Sequence, residues 1–157
     1  SYCGLDEEGA DIPEWLWTAL CAEPDRVVLT ELLNGRLSNL WRIRVVGSLK
    51  PLGPQVWGDA GWRDADVGYR GRARHDDEIT LIYNASTVNL DIPRLYQRDI
   101  ATMRVFDVLA SGGFLLTEPS SDVMSMFEDG AHLATYSRGD QLVDVVAPCL
   151  ELALLST

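Results

Sequence analysis

Two charged residues stand three apart in a run that is otherwise mostly apolar: Arg104 and Asp107, within Thr102-Met103-Arg104-Val105-Phe106-Asp107-Val108-Leu109-Ala110. Arg offers a planar fork of donors that suits phosphate oxygens, so the chemistry open to such a site is the binding of a small phosphorylated ligand. Val105, Val108 and Leu109 keep the spacing of a packed helix face, which makes the run a short helix. Gly112 and Gly113 supply the positive backbone dihedrals that end a helix and turn the chain back. Phe114-Leu115-Leu116 is apolar at every position, as a central parallel strand buried on both faces must be. Arg104 near the helix start and Asp107 one turn later can both project from the loop-facing end of a sheet, where open α/β folds take their ligands.

The elements that must hold these two residues follow from pattern and punctuation. Asp11-Ile12-Pro13 starts a helix through about Cys21, with Pro13 at a tolerated early position. Residues 24 to 34 make a second, stopped at Asn34-Gly35. Ser38 can cap a third, running to Gly47 before the break at Pro51-Leu52-Gly53-Pro54. Its β-branched Ile43 to Val46 stretch also reads as a strand, but helix is preferred. From Gln55 the order becomes strand and helix in alternation. Strands are expected at Gln55 to Trp57, Asp66 to Tyr69, Thr87 to Leu90, Phe114 to Thr117 and His132 to Tyr136. Helices are expected at Asp76 to Ala85, over the run carrying Arg104, from a Ser121 cap to Asp129-Gly130, and from Gly139 to Ala147, broken by Pro148. Such alternation implies a parallel sheet with right-handed crossovers. The expected architecture is an α/β fold, a Rossmann-like parallel sheet of about five strands flanked by helices, with a helical N-terminal segment.

Arg104-Val105-Phe106-Asp107-Val108-Leu109-Ala110-Ser111-Gly112-Gly113-Phe114-Leu115-Leu116 resembles the sugar-nucleotide-binding half of glycosyltransferases built from two facing Rossmann-like domains, the GT-B type. The branch it looks closest to is named for the spore-maturation protein CgeB. Three further segments fit that branch in order: Val56-Trp57-Gly58-Asp59-Ala60-Gly61-Trp62, Tyr69-Arg70-Gly71, and Ile82 through Leu90. The resemblance spans roughly residues 37 to 147. It implies that Arg104 contacts the diphosphate of a nucleoside-diphosphate sugar, aided by the backbone N–H groups of Thr102, Met103 and Arg104 at the helix start. It implies that Asp107 accepts hydrogen bonds from ribose hydroxyls, where such transferases usually carry a Glu. The loop Tyr69-Arg70-Gly71-Arg72 would lie beside the base, and Gly112 and Gly113 beside the donor. No cofactor or metal is expected beyond the sugar donor itself. The expected partner is an N-terminal acceptor-binding domain of the same protein.

Composition bounds these readings. The chain has 157 residues, 46% of them hydrophobic and 24% charged, ordinary values for one globular domain. We therefore expect a single domain, with residues 1–53 a mostly helical entry and 54–157 the donor-binding half. It opens at Ser1 without a Met and closes on the apolar helical pattern Leu150 to Leu155, which fits a piece of a longer protein. No apolar run is long enough to span a bilayer and no signal segment opens the chain, so a cytoplasmic protein is expected. Net charge of −11 argues against nucleic acid. The distribution is uneven, since residues 63 to 104 hold seven of the 13 basic residues, all Arg, balanced by seven acids. Surface pairing of these Arg residues with Asp64, Asp66, Asp76 and Asp77 competes with a phosphate role.

Other chemistries are weaker. Cys3, Cys21 and Cys149 are widely separated and fit reduced thiols rather than a disulfide framework. His75 and His132 sit in no nucleophile motif, and the acids from Asp76 onward read as a solvated helix start rather than a metal site. Asn84-Ala85-Ser86 matches a glycosylation acceptor by chance composition. Trp15, Trp17, Trp41, Trp57 and Trp62 belong to a core or an interdomain face, and Asp59-Ala60-Gly61 to a turn. Arg104 can also pair with Asp107 or Asp99, and Asp107 can be a solvated helix position. Two other functions stay open: a non-catalytic nucleotide-sugar-binding or degenerate sensor domain, and an acidic α/β interaction module.

Overall fold

A computed structural model describes residues 26–74, 77–137 and 142–155. The helix expected from Asp11 to Cys21, Trp15, Trp17, His75, Asp76, Cys3 and Cys21 lie outside the described residues. Close contacts divide the chain into Ser1–Arg36 and Leu37–Thr157. Within the second unit lie five short strands, β1 (Gln55–Trp57), β2 (Gly68–Gly71), β3 (Asn89–Asp91), β4 (Leu115–Thr117) and β5 (Ala134–Thr135). Helix α1 (Arg26–Ser48) precedes them, and α2 (Asp77–Ala85), α3 (Met103–Ala110), α4 (Ser121–Met126) and α5 (Leu142–Leu155) alternate with or follow them.

Every strand pairing is parallel, as the alternation predicts. The strands form two small sheets rather than one, β1-β2 and β3-β4-β5. At three residues or so each, these strands are short even for parallel sheets, and short edges leave few backbone groups to join one sheet to the next.

The three-stranded sheet is covered on both faces, which explains why β4 is apolar throughout. Leu116 points into a cluster with Val45 and Val46 of α1, Leu49 just past its end, Ile92, Tyr136, and Leu142 and Val146 of α5. Leu115, its neighbour, points the other way, into Val105 and Val108 of α3, Val123 of α4 and Leu133. Successive strand residues alternate faces, so one strand serves two cores.

Several helix boundaries differ from the sequence reading. Asn34-Gly35 does not stop a helix; α1 is continuous for 23 residues through it. A Gly inside a helix costs about 1 kcal/mol, too little to end one whose far end is packed. Ser38 is therefore no cap. It is 1% exposed inside α1, and its hydroxyl accepts the Leu95 N–H at 3.1 Å. Ser38→Ala would strand that N–H, and we expect a loss of about 1–2 kcal/mol in denaturant melts.

The cap of α4 is Ser120, whose hydroxyl accepts the Val123 N–H at 3.2 Å, one residue before the expected Ser121. Pro148 lies inside α5 instead of breaking it. Its interior penalty of about 3 kcal/mol is offset by burial of Val146 and Leu142, two and six residues before it. Strand β2 begins two residues later than expected, and β5 is shorter. His132 precedes β5 in a turn, where its Nδ1 accepts the Glu128 N–H at 3.0 Å. As expected, Asp59 makes a turn, its carboxylate accepting the Gly61 N–H at 2.8 Å.

Candidate functional site

Asp91 closes β3 in register with Thr117, the last residue of β4. A carboxylate there is 1% exposed, so it must be paired and hydrogen-bonded. Arg104 supplies the charge: its Nη1 donates to Asp91 Oδ1 at 2.8 Å. Hydroxyls of Thr102 and Thr117 each lie 3.3 Å from Asp91 Oδ2 and can donate to it. Tyr136, just past β5, donates its hydroxyl to the Asp91 backbone carbonyl at 3.1 Å. The ends of all three strands and the start of α3 thus meet on one buried acid. That is the carboxyl end of a parallel sheet, where α/β folds place ligands.

The Arg104 ion pair is accordingly a correction to the sequence reading, which offered Asp107 or Asp99. Helix geometry explains the difference. Side chains lean back toward the N-terminus, so a residue in the first turn of α3 reaches over the strand ends rather than down its own helix. Burial alone would depress the Arg104 pKa, but the Asp91 charge and hydrogen bond, with a contribution from Tyr83, outweigh it and raise it. The side chain is still 40% exposed, so Asp91 holds Arg104 without enclosing it fully.

Thr102 stands at the N-cap position of α3, yet its side chain makes no cap and serves Asp91 instead. The first N–H groups of α3 thus lack that partner, which leaves donors and a partial positive charge beside Arg104. Met103 is 72% exposed at the same turn. Asp107 is exposed one turn on, and its backbone carbonyl accepts both the N–H and the hydroxyl of Ser111. Gly112 takes the left-handed conformation at φ +75° that ends α3. A Cβ at Gly113 would meet the Tyr83 carbonyl and Asn89, whose amide donates to Tyr83 O at 2.9 Å.

Tyr69, Arg70, Gly71 and Arg72 lie on the other sheet. Tyr69 donates its hydroxyl to Gly58 O at 3.3 Å, and Arg70 is hydrogen-bonded to Gln55. Gly71, at φ +89°, accepts the Gly58 N–H at 2.8 Å, and Arg72 is exposed. Of the expected site residues, Thr102 and Arg104 are brought together on Asp91 and Tyr69 and Gly71 on Gly58, while Met103, Asp107, Gly112, Gly113, Arg70 and Arg72 join neither contact set. The surface pairs include Lys50 with Asp66 and Arg74 with Glu78.

Asp91 and Arg42 are the residues that sequence reasoning missed. Asp91 had a signal, a lone acid closing an apolar run between Leu90 and Ile92. Arg42 had none beyond its charge. It lies on α1 with its guanidinium 5.6 Å from the Trp62 ring centroid. Burial, then the charges of Arg104 and Arg94, lower its pKa, against the opposing pull of Asp91 and Asp59. Among the described residues no group of three or more His, Cys, Asp or Glu side chains could hold a metal. No helix of the described residues is long and apolar enough to cross a membrane.

Parallel strands flanked by helices, with a charged cluster at their carboxyl ends, define an α/β protein of Rossmann-like type. The family model described as glycosyl transferase-like matches residues 26–153, and the chain belongs to that family. No curated protein and no solved structure matches it.

Proposed function

We propose that the chain is the nucleotide-sugar-binding half of a two-domain glycosyltransferase of the GT-B type, in the CgeB-like branch. The observation that carries this reading is Arg104, fixed by buried Asp91 at the first turn of α3 with its side chain 40% exposed. In this role Arg104 and the α3 N–H groups bind the donor diphosphate. As the sugar leaves, they stabilise the negative charge that builds on the nucleotide, a preorganised electrostatic effect without a metal. Asp107 accepts from the ribose hydroxyls, and Tyr69 to Arg72 flank the base. The acceptor site and any general base come from an N-terminal domain of the same protein. Family membership supports transferase chemistry, and the strand-end position supports a ligand there.

The test is an amide NMR titration of the chain with UDP, ADP and other nucleoside diphosphates. Expected are shifts concentrated at Arg104, Asp107, Gly113 and residues 69–73, strongest with one base. Absence of shifts at millimolar nucleotide would sink the donor reading. The chain alone is expected to transfer no sugar, and glycosylation of an acceptor by it unaided would refute the need for a partner half. A binding or sensor domain without transfer chemistry is the second reading. It draws on the short Asp107 and the exposed apolar Met103, at positions where the transferases it resembles usually carry Glu and often a polar residue.

A further inference from the structure

Arg42 sits one helical turn beyond Ser38, the residue of α1 that grips Leu95. The same helix end, with Leu49 just past it, packs Val45 and Val46 against Ile92, which follows Asp91. Arg42 is thereby brought to the segment Asp91 to Leu95, at the carboxyl end of β3. Its guanidinium lies against Trp62, and its Nε, buried, finds no hydrogen-bond acceptor among the described residues. Arg94, on the same segment, is steadied by its Nη1 donating to the Tyr96 hydroxyl at 2.9 Å. Arg104 completes the group from α3.

Arg42, the exposed Arg94 and Arg104 thus stand on elements that meet at the carboxyl end of β3. There Arg104 pairs with Asp91, the one buried acid among the described residues, and the charges of Arg104 and Arg94 bear on Arg42. Asp59, the other acid felt by Arg42, is exposed. In a chain of net charge −11 this local positive surplus is an exception. Like charges at close quarters repel, and a buried N–H without an acceptor costs free energy. A phosphate group relieves the repulsion, because its oxygens accept from several guanidinium forks at once and its charge offsets the surplus.

We propose that Arg42 and Arg94 are phosphate-contacting residues, which with Arg104 form one seat for the diphosphate. This deepens the donor reading and rests on it for the identity of the anion. Arg42 matters most, since Asp91 already occupies part of Arg104. It also joins the Trp62 segment after β1 to the strand ends of the other sheet.

The experiment compares wild type, R42Q, R42K and R104Q by titration calorimetry with UDP and with inorganic pyrophosphate, alongside thermal melts of each. R42Q should weaken both probes by about tenfold or more and by the same factor, since the lost contact is to phosphate and not to the base. R42K, keeping the charge but losing the fork, should fall between. Without ligand, R42Q loses the Trp62 contact along with a repelled donor, so its melt serves only to show that the variant is folded, and the role of Arg42 is read from the equal loss with both probes. If R42Q binds both probes as wild type does while R104Q does not, the proposal is overturned and the donor reading stands. If wild type binds pyrophosphate through Arg42 but no nucleotide, the seat stands and the donor reading falls. Binding of neither probe by wild type overturns both.

Discussion

Arg104→Gln should reduce affinity for nucleoside diphosphates by about a hundredfold and lower folding stability by about 2–3 kcal/mol. The binding loss follows from removing the charge-assisted donors at the start of α3, where each such contact is worth about 1.5–3 kcal/mol. The stability loss comes from the partner left behind. Asp91 is 1% exposed and cannot turn to water, so its carboxylate would keep hydrogen bonds only from the hydroxyls of Thr102 and Thr117, with the charge of Arg42 as a more distant support. Those two bonds keep the cost below the full penalty of an uncompensated buried charge. Arg104, itself 40% exposed, gives up less to solvation than a buried cation would. Asp91→Asn removes the charge and keeps a polar group, so the double variant should recover part of the stability lost in Arg104→Gln. A coupling of about 1–3 kcal/mol in the double-mutant cycle would confirm the pair, and strict additivity would show that the two residues act independently. Urea melts and nucleotide titrations of the four proteins supply the measurement.

Gly113→Ala should be the more damaging change to the fold itself, costing about 3 kcal/mol. A Cβ at Gly113 would stand 2.6 Å from the Tyr83 backbone carbonyl and 2.7 Å from the Asn89 amide nitrogen. Neither atom can step aside cheaply. The first is backbone, at the end of α2. The second bonds Tyr83 O at 2.9 Å and Phe114 O at 3.2 Å, so it ties α2 to β3 and β4. Moving that junction also moves Tyr83, which bears on Arg104, so nucleotide affinity should fall with stability. Gly112→Ala is the control. Its nearest neighbour, the Asn84 amide nitrogen, is 3.4 Å away, and only the φ of +75° resists a side chain. We expect about 1 kcal/mol there. Equal losses at the two glycines in thermal melts would show that conformational strain, not the close approach, governs the turn.

Some of this was legible without coordinates because the cause was local. Strand β1 falls on Gln55–Trp57 as read, and α3 stops where Gly112 takes a left-handed turn. The apolar run Leu115-Leu116 announced a strand covered on both sides, and it is the strand that both cores share. Local rules failed where packing outweighed them. Gly35 and Pro148 each impose a modest penalty that a long, packed helix absorbs, so α1 and α5 run through their supposed stops.

The same distinction runs through the site. Residue types and spacing in the chain were enough to determine an α/β alternation, parallel pairing, and an Arg at the start of a helix leading into a buried strand. Which acid holds that Arg was decided only by the tertiary structure. Asp91 is 13 residues from Arg104 along the chain and 26 from Thr117, and no helical or strand period relates such separations. Arg42 is farther still, brought in by α1 packing its far end on Ile92 and Leu116. Helix and strand periods arise from backbone geometry within a few residues, whereas a buried ion pair depends on which segments the core draws together.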